Sequence, residues 1–198
     1  MDKQSLTNIT HFLFEAGMLA KTPRSGFFFL GSGEQSVAEH LNRTAYVGFV
    51  LASMNKKADV SKVMQMCLFH DFTESRISDL NYVHQKYTER HENKALADLV
   101  GSIPFGKYID ALIKEYTARE TIESKLAKDA DNIEFLLSIK EQIDIGNVRG
   151  KKWIPSLLKR LKTEEAQELA KSIINTESDR WWIGDENDEW WVSRNKKN

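Results

Sequence analysis

The chain has 198 residues, 41% of them hydrophobic, enough for one compact core, so a single domain over residues 1–198 is expected. Its 28 Lys and Arg against 29 Asp and Glu leave a formal charge of -1, which excludes the broad basic surface that non-specific binding to a nucleic-acid polymer needs. No apolar run approaches the ~20 residues of a membrane span, and a lone Cys67 with no basic-then-apolar leader sets the expectation of a cytoplasmic protein with no membrane partner.

Three prolines and a recurrent three-and-four spacing of apolar residues predict an all-α fold, with helices near 4–18, 36–55, 59–73, 84–101, 106–118, 121–144, 152–161 and 163–176. Between the first two, Thr22-Pro23-Arg24-Ser25-Gly26 and Gly31-Ser32-Gly33 predict a shaped loop. Ser36-Val37-Ala38-Glu39 reads as a capping box that opens the second helix and accounts for Glu39 without a catalytic role. Val37, Leu41, Thr44 and Gly48 share one face of that helix, and His40, three residues after Val37, should face the interior. In the third helix Val60, Val63, Met64, Cys67 and Leu68 form a stripe whose next position is Asp71. A carboxylate pointing inward needs a cation, a metal or several donors. His70 is its neighbour, and Glu74 follows one turn later. Further on, His84 and His91 lie seven apart among Lys86, Arg90, Glu92 and Lys94, the pattern of a solvated helix face and not of ligands. The long helix after Thr121 offers two acids, Asp129 and Asp131, but is apolar nearly all round, so periodicity does not choose between them. At the C-terminal end Trp181, Trp182, Trp190 and Trp191 flank an acidic segment and are expected to pack on the core or on a second subunit.

Two imidazoles and carboxylates from different helices make a mixed nitrogen and oxygen set suited to Mn, Fe, Co, Ni or Zn. A histidine, a His-Asp pair about thirty residues later and an aspartate about sixty beyond resemble the HD-domain phosphohydrolases. Pro23-Arg24-Ser25-Gly26, Ser36 to His40, His70-Asp71-Phe72-Thr73-Glu74, Asp79-Leu80 and Lys128-Asp129-Ala130-Asp131 are similar to the branch that contains bacterial 5'-deoxynucleotidases, over residues 10–140. The pattern departs at Ser78, where the family often has glycine, and at Phe27, which stands for its usual tryptophan.

The resemblance implies a single HD-domain helical bundle in which His40, His70, Asp71 and Asp131 hold one divalent metal (Co, Mn, Ni, Fe or Zn, with Mg admissible). Asp131 is thereby selected over Asp129, which becomes a candidate for contacting the ligands from behind. It implies further that Glu74 orients or deprotonates the attacking water, that Arg24 holds the phosphate and that Asp79 lies near the sugar or leaving group. Lys86, just after the acidic cluster, is a further candidate for neutralising the phosphate. The substrate so implied is a small nucleotide, a nucleoside 5'-monophosphate and plausibly a deoxynucleotide, cut by a protein that forms a homodimer. The alternatives are an HD-type phosphodiesterase or nucleoside triphosphate hydrolase, and a nucleotide-binding regulatory module without turnover.

Overall fold

The computed structural model describes residues 1–184, all of whose regular elements are helical. Eleven α-helices follow one another: α1 Lys3–Ala16, α2 Gly26–Leu30, α3 Val37–Met54, α4 Val60–Phe69, α5 Glu74–Ile77, α6 Glu92–Val100, α7 Gly106–Ala118, α8 Ile122–Asp144, α9 Ile154–Arg160, α10 Glu164–Ile174 and α11 Arg180–Ile183. An isolated antiparallel bridge, Pro23 to Ser36, closes the loop that carries α2.

Five helices, α1, α3, α4, α8 and α10, start at side chains that satisfy otherwise free amides. Asp2 accepts from Ser5 N at 2.8 Å, and Asp59 accepts from Lys62 N at 3.1 Å. Ser36 and Glu39 make the capping box in both directions, at 3.2 and 2.6 Å. The 23-residue α8 spans roughly 35 Å at ~1.5 Å per residue and runs through the centre of the molecule. It packs against α3, α4, α7, α9 and α10, which is why it buries residues on nearly all its faces, polar ones such as Asp129 and Glu134 among them. Leu51, Val63, Met66, Cys67, Leu126, Ile133 and Ile139 form the fully buried part of the larger core. A smaller core of Phe12, Leu19, Val37, Leu41, Phe72, Leu96 and Ile109 joins α1, α6 and α7 to the near end of α3.

Several expected elements differ. The helix expected over 59–73 ends at Phe69, a turn occupies His70 to Thr73, and the four-residue α5 follows. Its buried face is Val63, Met66 and Cys67; Leu68, placed on the inner stripe, is exposed. The helix expected over 84–101 is broken into a single tight turn, His84–Lys86, and α6. Asn81 sets the start of that turn, its Oδ1 accepting from both Val83 N and His84 N at 3.0 Å, and the chain leaves helical geometry at Tyr87. The shaped loop before α3 contains the short α2, ended by Gly31 at φ 78°. Trp181 and Trp182, expected on the core or on a second subunit, are exposed on α11 of the single chain, while Trp190 and Trp191 lie outside the described residues.

Candidate metal centre

Three segments distant in sequence meet at one buried point. His40 enters from the first turn of α3, His70 caps the end of α4, and Asp131 projects from the middle of α8. One donor atom from each lies within 4.8 Å of the other two. Asp131 Oδ1 is 3.2 Å from His40 Nε2 and 3.9 Å from His70 Nε2. Asp71, delivered by the turn after α4, borders the same point, with Oδ2 3.7 Å from His40 Nε2 and 3.4 Å from His70 Nε2.

The fit to a cation can be tested on the two imidazoles. Both Nε2 atoms are buried and have no hydrogen-bond partner among the described residues, a costly condition unless something else binds their lone pairs. The other nitrogen of each ring is occupied. His70 Nδ1 donates to the Cys67 carbonyl at 3.0 Å, and His40 Nδ1 donates to Glu134 Oε2 at 2.5 Å. Both rings are therefore held in the tautomer that turns a free Nε2 lone pair toward Asp131 and Asp71. Asp131 is likewise oriented. Lys128 Nζ takes its Oδ2 at 2.5 Å and the Tyr116 hydroxyl donates to the same oxygen at 3.4 Å, which leaves Oδ1 facing the imidazoles.

The charges follow from this crowding. Burial opposes ionisation of Asp131, but Lys128 and the two histidines hold its carboxyl well below the usual range. Asp71 is also held low against burial, by His70 and Arg24. For His40, burial and the Arg24 charge pull downward, yet the Asp131 and Glu134 carboxylates lift the imidazole to about 9. In the metal-free protein the ionised Asp71 and Asp131 are thus balanced by Arg24, Lys128 and a proton on His40, a proton that a bound cation would have to displace.

Beside this point lies an open cavity of about 500 Å³, lined in part by Arg24, Asp71, Glu74, Asp79 and Asp131. Arg24 Nη1 is 3.3 Å from Asp71 Oδ2 and 3.7 Å from Asp79 Oδ2, and Asp79 Oδ2 also accepts from Ser25 N at 2.9 Å. Glu74 is buried, with Oε2 unpartnered and Oε1 3.6 Å from Arg90. Burial, reinforced by Asp71 and Asp79, pushes its carboxyl up to about 10 against the pull of Arg24 and Arg90.

Two sequence-derived candidates lie elsewhere. Asp129 faces away from the cavity and accepts from Lys162 N at 2.9 Å, Thr163 N at 2.7 Å and Thr163 Oγ1 at 2.7 Å. It is therefore a clamp on the start of α10, not a contact to the candidate ligands. Lys86 is not among the cavity residues; its Nζ sits 4.5 Å from the centre of the Tyr82 ring. The cations that do line the cavity are Arg24, Arg90, Arg119, Lys128 and Arg160. Four of these were missed, as was Glu134. The spacing Asp131 to Glu134 was a readable clue, since residues three apart on a helix share a face.

The fold and the arrangement of these side chains define an HD-domain protein, and a family model described as HD domain matches residues 16–174. The chain belongs to that family. Among curated proteins it is 26% identical over 154 residues to the 5'-deoxynucleotidase HDDC2 of Danio rerio, covering 74% of this chain and 75% of that one. It is 30% identical over 149 residues to the protein of the same name from Dictyostelium discoideum, covering 69% and 78%. Among solved structures, a conserved hypothetical protein from Pyrococcus furiosus superposes with TM-score 0.71 at 28% identity, covering 84% of this chain and 99% of that one. A predicted metal-dependent phosphohydrolase from Magnetospirillum magnetotacticum gives TM-score 0.70 at 25% identity, covering 90% and 94%.

Proposed function

We propose that the protein is a metal-dependent phosphomonoesterase that removes phosphate from nucleoside 5'-monophosphates, deoxynucleotides among them. The observation that carries this reading is the pair of buried, unpartnered imidazole Nε2 atoms converging with Asp131 beside a cavity that contains Arg24. The names of the curated relatives agree with it. His40, His70, Asp71 and Asp131 would hold one divalent ion, for which Mn, Fe, Co, Ni or Zn suit the donor set and Mg is admissible. Such an ion supplies positive charge against the phosphoryl oxygens and acidifies water.

The rest is done by the chain. Arg24 is fixed through Nη1 by Asp71 and Asp79, and its remaining nitrogens are suited to a bidentate grip on the phosphate. Glu74 holds a proton at its buried carboxyl in the metal-free protein; ionised once a cation offsets the Asp71 and Asp79 charges, it would accept a proton from the attacking water. Asp79, tied to the Ser25 amide, lines the cavity and would lie near the sugar or leaving group. No covalent enzyme intermediate is needed.

The whole chain is read as one HD domain in the cytoplasm; among the described residues no helix is long and apolar enough to cross a membrane. A homodimer is the expected assembly, supported by an exposed apolar stripe of Tyr46, Phe49, Val50 and Met54 on α3.

The test is phosphate release from a panel of ribo- and deoxyribonucleoside 5'-monophosphates with Co, Mn, Ni or Mg. Release from deoxynucleotides is expected, and none with any metal would overturn the reading. A second reading, hydrolysis of nucleoside triphosphates, is favoured by Arg119 and Arg160, which line the cavity and have no ion-pair partner among the described residues. Its mark would be pyrophosphate or triphosphate as product.

A further inference from the structure

Asp131 and Glu134 lie three residues apart on α8 and therefore on one face of it. Both reach the same imidazole from opposite sides: Asp131 Oδ1 stands 3.2 Å from His40 Nε2, and Glu134 Oε2 stands 2.5 Å from His40 Nδ1. Glu134 cannot share in binding an ion that Nε2 faces, because the two ring nitrogens point away from each other.

Its own surroundings explain how a fully buried carboxylate is tolerated there. Oε2 is given to His40. Oε1 accepts from Gln35 Nε2 at 2.7 Å, Arg43 Nε at 2.9 Å and Ser138 Oγ at 3.2 Å. Arg43 is held in turn by Glu141 at 2.5 Å, so the group is braced from the loop before α3, from α3 and from α8. His70 has no such backing, since its Nδ1 donates only to the neutral Cys67 carbonyl. The two histidines are thus unequal: one is backed by a charge, the other by a peptide dipole.

We infer that Glu134 is the positioning residue of the metal site, fixing the tautomer and orientation of His40 and strengthening its Nε2 as a donor. This rests on the reading of His40 as a ligand. A carboxylate behind a ligating histidine is worth roughly 10–100-fold in metal affinity.

The experiment measures cobalt binding by calorimetry for the wild type, Glu134→Gln and His40→Ala, with the thermal midpoint of each metal-free protein as the check on folding. Glu134→Gln should weaken cobalt binding about 10–100-fold, in line with other histidine-backing groups, and should shift the visible spectrum of the bound ion. Absence of binding by the wild type would overturn the ligand assignment itself. Wild-type binding with Glu134→Gln unchanged in affinity and spectrum would overturn the role of Glu134 alone. Should the variant not fold, ring-nitrogen NMR of the wild type decides: a proton on His40 Nδ1 in the metal-loaded protein is expected, and metal on Nδ1 would overturn the proposal.

Discussion

Adjacent acids on one helix separate binding from stability at the level of single residues. Asp131 faces the imidazoles and Asp129 faces α10. Asp131→Asn should therefore abolish tight metal binding in calorimetry, whereas Asp129→Ala should leave it within a few-fold and cost about 1–3 kcal/mol in denaturant titration, the penalty for stranding buried donors. The reverse pattern would mean that the two acids have been assigned the wrong way round. Protonation adds a second expectation. His40 rises from its ordinary 6.5 to about 9 in the metal-free protein, so the stability it contributes is complete below pH 6.5 and lost as pH climbs to 9. Glu74, raised to about 10, acts in the same direction, because ionising it in the folded state is costly. The melting temperature of chelator-treated protein should fall from pH 6.5 to 9 while metal affinity rises over the same interval. A flat profile in both would sink this account. The cluster of His40, His70 and Asp131 was legible in the sequence because these residues interrupt apolar stripes or match a spaced motif. Arg119 and Arg160 were not, because an exposed arginine at a helix end looks the same whether it faces solvent or a cavity.

At the scale of elements, the site depends on how closely α3 approaches α4. Gly48 is the point of contact, and a Cβ there would lie 2.5 Å from Cys67 Sγ and 3.3 Å from Val63 Cγ1. Alanine in a helix normally gains ~1 kcal/mol over glycine, so the clash decides the sign. Gly48→Ala should lower the thermal midpoint and weaken metal binding, since His40 and His70 ride on the two helices it would force apart. An unchanged midpoint would show that the pair has slack. Ser78 offers the opposite case. It sits at φ 64° and ψ 161°, a conformation that glycine adopts freely and serine does not, immediately before Asp79. Ser78→Gly should raise stability by about 1 kcal/mol in denaturant titration, within the range for strained backbone. The capping box, α7 and α8 were all readable within a residue or two, because their caps and periods are local. The break between Lys86 and α6 was not: residues 87–91 leave the helix with no glycine or proline to mark the stop.

For the molecule as a whole, the ion should act as a tie between parts of the bundle. A ligand present at 100 times its dissociation constant stabilises the folded state by about 2.7 kcal/mol. Cobalt should accordingly raise the melting temperature of the wild type and leave His40→Ala unmoved; an equal shift in both would place the binding elsewhere. The all-helical architecture could be foreseen from the spacing of apolar residues, but not the central position of α8, which only the packing of five other helices around it reveals. That position also has a consequence in time. A nascent chain emerges at roughly 5–20 residues per second, N-terminus first. The two histidines and Asp71 thus leave the ribosome well before Asp131 and Glu134, and for those seconds they are a half-site without the carboxylates of α8. Any ion caught early would be held loosely and could exchange, so the choice of metal falls to the finished bundle, after α8 has slid into place and closed on both sides of His40.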